Sequence, residues 1–165
     1  MKICEVNIMS KGTIAIIGIG EVPTANRPDR THWDIIYDTC MEAVRDSDLH
    51  KNDIEGVISV TPQAQPKIAA ELSFGKLPEE LGLKGCKDAV SVNAGGASTS
   101  NAIRLAEQWV TSGVAKAVIV QHVTLHSTIP LMDQINFFAK AGVDLQWEYP
   151  FGPTYNIIMG LMANR

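Results

Sequence analysis

Four short apolar runs, at residues 13–20, 54–60, 89–94 and 117–123, alternate with stretches of helical periodicity, and this alternation limits the fold more tightly than any single residue. Short runs rich in β-branched residues read as strands, and the near-continuous first one reads as a strand buried on both faces. Behind Thr31, which suits an N-cap, Trp33, Ile36, Tyr37, Cys40, Ala43 and Val44 recur at helical spacing to about Ser47. A shorter helix is expected over 68–74, broken by Gly75 and Pro78. A third is expected over 98–112, where Ala102, Ile103, Leu105, Ala106, Trp109 and Val110 cover an arc of roughly 160°. That arc is wide for a helix on one sheet face and suits one packed between two layers. Strands alternating with helices imply a mostly parallel sheet. From Leu125 the pattern changes to a polar loop, an apolar stretch over 135–141, a tryptophan-containing link and a last helix from about Thr154.

The junction Val92-Asn93-Ala94-Gly95-Gly96-Ala97-Ser98-Thr99-Ser100 carries the chemistry. An apolar strand runs into small residues and a helix begins there, which aims backbone N–H groups at whatever lies before the helix. That arrangement suits a thioester carbonyl or another oxyanion. The alternative is that the glycine pair simply allows close packing of helix on strand. Ser98 is the one hydroxyl near the helix start open to proposal as a nucleophile, but no triad motif surrounds it and capping the helix is its expected role. His122 and His126 fall at or just past the end of the fourth strand, the edge where open α/β sheets place ligands, and a histidine there suits a base or a hydrogen-bond donor. The alternative is a histidine satisfied by backbone groups.

Composition removes several classes of function. A chain of 165 residues supports one compact α/β domain, and a net charge of −4 with scattered basic residues gives no reason to expect nucleic acid or an anionic membrane. Cys4, Cys40 and Cys86 are an odd number without metal-ligand spacing, so reduced thiols, a cytoplasmic location and no metal site are expected. No apolar run approaches the ~20 residues of a membrane-spanning helix. Gly18-Ile19-Gly20 lacks the third glycine of a dinucleotide fingerprint, Pro23 standing in its place, and reads as a tight turn. Cys86, in a loop ten residues before Gly96, reads as an incidental thiol, with only Lys84 and Lys87 near enough in sequence to lower its pKa.

Gly95-Gly96-Ala97-Ser98, then Ala102-Ile103-Arg104-Leu105-Ala106, then Ser112-Gly113-Val114-Ala115-Lys116-Ala117-Val118-Ile119-Val120 resemble the amino-terminal half of a thiolase, of the sterol-carrier-protein-type thiolase-like branch. Ala15 to Pro23 resembles that family's opening strand, and Pro150-Phe151-Gly152-Pro153 with the helix behind it resembles its loop domain. The resemblance implies an α/β fold: the amino-terminal half of a thiolase fold at 1–124, a mostly parallel sheet with helices on both faces, and a partial loop or cap region at 125–165. The second half of the fold is expected to be absent, as in a fragment, a truncated product or one piece of a split enzyme.

Thiolases carry their acyl-accepting cysteine in a Cys-Ala-Ser-Gly run at this helix start, where this sequence reads Gly96-Ala97-Ser98-Thr99. Glycine cannot be acylated. The branch also contains cysteine-free aldolases that cleave carbon–carbon bonds beside a CoA thioester, so the resemblance implies a retro-aldol activity, with Gly96 as a backbone oxyanion donor and the base in the absent half. Gly95, Ser98, Phe151 and Gly152 would shape the substrate site, or Phe151 and Gly152 would simply pack the cap. Coenzyme A would enter as part of an acyl-CoA substrate, with no bound cofactor. Expected partners are a second copy or a related subunit, in a homodimer or hetero-oligomer, and a small OB-fold zinc-ribbon protein. The alternatives are a thiolase proper whose nucleophile comes from elsewhere, and a non-catalytic scaffold subunit.

Overall fold

A computed structural model describes the backbone of residues 14–25, 29–60, 73–125, 129–144, 146–152 and 154–164. Three short strands, β1 (Gly56–Val60), β2 (Asp88–Val92) and β3 (Val118–Gln121), form a parallel sheet in the order β2-β1-β3. Gly56 is in register with both Asp88 and Val118, so the three strands start level and their carboxyl ends share one edge.

Every residue of β1 is buried, because helices cover both faces of the sheet. Val57 faces Ile36, Cys40 and Val44 of α1 (His32–Asp46) and Leu77 and Leu81 of α2 (Ser73–Leu81). Ile58 and Val60 point the other way, onto Ala102 of α3 (Ser98–Thr111), with Val90, Val92, Leu105, Ala106 and Trp109 around them. The two sets alternate along the strand as the pleat requires. Among the described residues α3 meets one layer, and Ile103 stays 45% exposed where a second layer was expected.

Thr31 caps α1 as its sequence implies. Its hydroxyl accepts from the Asp34 N–H at 3.2 Å, and the Asp34 carboxylate accepts from the Thr31 N–H at 2.8 Å, a reciprocal capping box.

Two sequence expectations are corrected. The run over 13–20 forms no strand in its described part, residues 14–20. It lies across α1 instead, with the Ile19 N–H donating to Asp46 at 2.8 Å and the Glu21 N–H to Glu42 at 3.0 Å. Gly18 and Gly20 permit this approach, since a Cβ at either would collide with the carbonyl of Ala43 or Thr39. β1 is already paired on both sides, so the sheet offers this run no interior slot, and its isoleucines remain in water, Ile16 77% exposed and Ile19 69% exposed.

The second correction concerns Gly75 and Pro78. Residues 68–72 lie outside the described residues, and from Ser73 the helix runs through both expected breakers to Leu81. Proline inside a helix costs ~3 kcal/mol. Burial of Leu77 and Leu81 on one face, worth ~1.5–3 kcal/mol each, outweighs it.

Beyond β3, α4 (Leu131–Gly142) starts four residues earlier than the apolar stretch 135–141 and packs against α5 (Tyr155–Ala163), which Thr154 caps by accepting from the Ile157 N–H at 3.4 Å.

Candidate functional site

The loop from Asn93 to Ala97 leaves the carboxyl end of β2 and enters α3, so it lies at the edge that β1 and β3 share. Gly95 takes a left-handed φ of 60°, which turns the chain, and its N–H faces the Asn93 side-chain oxygen at 3.4 Å. The Ala97 and Ser98 N–H groups close back on the carbonyls of Ala94 and Gly95 at 3.2 and 3.1 Å. Gly96 forms an isolated β-bridge with Ala94, and the N–H groups of Thr99 and Ser100 in the first turn of α3 make no hydrogen bond among the described residues. A Cβ built on Gly96 would meet nothing within 4 Å, so the space before the helix is open.

Ser98 does not cap the helix. Ala97 holds the N-cap position without a side-chain bond, and Ser98, first in the helix and 2% exposed, turns its hydroxyl onto the loop. That hydroxyl accepts from the Ala94 N–H at 2.8 Å and donates to the Gly95 carbonyl at 2.6 Å. Its one proton goes to the Gly95 carbonyl rather than to a base, which argues against Ser98 as a nucleophile.

His122, the first residue after β3, comes to this loop, its Nδ1 standing 2.7 Å from the Thr99 hydroxyl. The imidazole is therefore tied to a side chain on the opposite side of the edge rather than satisfied by backbone groups alone. Thr99 escaped sequence analysis, since nothing local links it to a histidine 23 positions away; its place one residue after Ser98 in a helix-start run was the available signal.

The remaining candidates do not converge here. His126 and Cys4 lie outside the described residues. Phe151 is 88% exposed, so within this chain it neither lines a tunnel nor packs the cap, and Gly152 closes its short 3-10 turn with a φ of 71°. Neither available thiol is activated. Burial pushes the Cys40 thiol up to about 12, and Cys86, bonded to the Asp88 carbonyl at 3.4 Å, is likewise raised by burial. A cavity of about 280 Å³ between α1 and α2, lined by Arg30, Trp33, Tyr37, Asp38 and Glu80 among others, shares no residue with the loop. Its one strong cation is taken, Arg30 pairing with Asp38 at 2.7 Å. Among the described residues no group of His, Cys, Asp and Glu could hold a metal ion, and no helix is long and apolar enough to cross a membrane.

Comparison with solved structures gives the fold its name. The structure superposes on the "Ltp2-ChsH2(DUF35) aldolase" with a TM-score of 0.56 at 20% identity, over 84% of this chain and 33% of that one. The fold is thiolase-like. A 3-oxoacyl-[acyl-carrier-protein] synthase III from Aquifex aeolicus VF5 superposes with a TM-score of 0.45 at 19% identity, over 56% of this chain and 29% of that one. The chain thus spans about a third of the length of the aldolase it matches. No protein-family profile and no curated protein matches the sequence. The parallel sheet with helices on both faces agrees with what the motifs around Gly96 implied.

Proposed function

We propose that the junction at Gly96 receives the carbonyl of a CoA thioester and takes part in carbon–carbon bond cleavage or formation beside it, of the retro-aldol type. One observation carries this reading: the helix-start position bears no side chain and the space in front of it is open. Retro-aldol cleavage needs a donor for the enolate oxygen and a base for the β-hydroxyl, but no acyl-enzyme. The thiols of Cys40 and Cys86 are both shifted away from thiolate, so neither supplies the acyl-accepting thiolate that Gly96 lacks. The fold shared with an aldolase supports the same choice. His122 is this chain's own candidate for the base or for a second donor; in the full reaction we assign the base to a partner subunit, a second copy or a related chain, and a zinc-ribbon OB-fold protein is the acyl-CoA carrier to test.

The chain is incubated, alone and with such partners, with a β-hydroxyacyl-CoA, and products are separated by chromatography. A carbonyl compound and a shortened acyl-CoA in equal amounts are expected from the complex. An acyl group found on a cysteine, or partner binding without turnover, overturns the reading, in favour of a thiolase proper or a scaffold respectively.

A further inference from the structure

Thr99 and His122 form a pair that the proposed carbon–carbon chemistry does not require. Among the described residues the Thr99 hydroxyl makes one hydrogen bond, with Nδ1 of His122 at 2.7 Å, and it is the donor in the tautomer that leaves Nδ1 unprotonated. A hydroxyl hydrogen-bonded to an imidazole nitrogen is the working unit of nucleophilic acyl transfer. Both side chains reach solvent, Thr99 half-buried and His122 exposed, so an acyl group has access. The backbone N–H groups of Thr99 and Ser100 in this helix start make no hydrogen bond among the described residues, and the positive end of the 14-residue helix α3 adds to their attraction for an oxyanion. Ser98 gives its proton to the Gly95 carbonyl, which leaves Thr99 as the hydroxyl at this helix start with an imidazole beside it.

We propose that Thr99 and His122 form a nucleophile–base dyad that accepts acyl groups from thioesters and hydrolyses them. Thr99 Oγ1 adds to the thioester carbonyl carbon while its proton passes to His122 Nδ1. The carbon–sulfur bond then breaks, and the thiolate leaves with the proton from the imidazolium, giving an ester on Thr99. Water loses a proton to the same Nδ1 and attacks that ester; the carbon–oxygen bond to Thr99 breaks, Thr99 regains the proton, and a carboxylic acid departs. The sum is thioester plus water giving acid plus thiol, with no redox change and no further reactant. This step rests on the geometry of the pair and not on the retro-aldol reading.

Acetyl-CoA separates the two, because it has no β-hydroxyl and cannot undergo retro-aldol cleavage. The 165-residue chain is incubated with acetyl-CoA, free thiol is followed with a thiol reagent, and the protein is examined by intact-mass and peptide mass spectrometry. Thiol release above the uncatalysed rate and an acetyl group mapped to Thr99 are expected. Thr99→Ser should keep both, Thr99→Val should abolish both, and His122→Ala should slow release about 10²-fold or more. Cys86→Ser should change neither, and circular dichroism of each variant checks its fold. Thiol release unchanged in Thr99→Val, an acetyl group mapped only to lysine or cysteine, or no release and no adduct in the parent chain overturns the proposal.

Discussion

Ser98 donates its hydroxyl to the Gly95 carbonyl at 2.6 Å, and the Ser98 N–H reaches the same residue's carbonyl at 3.1 Å. One residue of the helix thereby fixes the geometry of the loop before it, and the hydroxyl also accepts from the Ala94 N–H. Ser98→Ala leaves that N–H without an acceptor. A loss of ~1–3 kcal/mol in urea unfolding is expected, together with faster hydrogen exchange at Ala94. An unchanged exchange rate would show that the loop holds itself.

The neighbouring glycines should behave differently. Gly95 sits at φ 60°, where a Cβ costs ~1–2 kcal/mol, whereas Gly96 lies outside the left-handed region with open space around it. Gly95→Ala is expected to destabilise by that amount and Gly96→Ala by less than ~0.5 kcal/mol in the same unfolding assay.

Gly96→Pro tests the donor itself, because proline removes the N–H. In a complex that turns over a CoA thioester, loss of one oxyanion donor should cost ~2.7–4 kcal/mol of transition-state stabilisation, read in kcat. Full kcat in a folded Gly96→Pro variant would remove Gly96 from the site.

Sequence legibility follows the range of the interactions involved. Thr31 as the cap of α1, the strand within 54–60 and the helix starting at Ser98 rest on neighbours within a turn or on local apolar patterning, and they could be read directly. The run over 14–20 has strand character, but character does not say whether the sheet has room, and here β2 and β3 already flank β1. Pro78 was overruled by the burial of Leu77 and Leu81, a tertiary gain invisible in the local pattern. The turn of small residues ahead of α3 is legible from its junction, while the Thr99–His122 contact is not, because its partner is brought in from beyond β3.

Cys40 ties stability to alkaline pH. Burial raises its folded-state pKa from 9.0 to about 12, so the folded state favours the neutral thiol. A group whose folded pKa is raised contributes stability that is complete below its unfolded pKa and is lost as pH rises towards the folded value. Stability should therefore fall between about pH 9 and 12, and the fall should be smaller in Cys40→Ala after allowing for its cavity cost. Urea midpoints across that range measure it, and equal slopes in the two proteins would mean that other groups govern the alkaline limb.

Association is the last expectation, and the structure changes how it must be tested. β2 is an edge strand, and Ile16, Ile17 and Ile19 stand in water on the far side of α1, so self-association of this chain is expected. Lysine at Val90 or Val92 would be a natural probe of the β2 edge. Both side chains instead pack with Ile58, Val60 and Ala102 under α3, so Val92→Lys should unfold the protein by roughly 2 kcal/mol before it reports on any interface. Ile16→Lys with Ile19→Lys is the cleaner probe, because residues 77% and 69% exposed contribute little to the core. The double variant should keep the parent's Tm and show a smaller mass by light scattering at tens of micromolar. A parent chain that is already monomeric at that concentration would mean that these isoleucines are tolerated in water and that the chain needs no second copy.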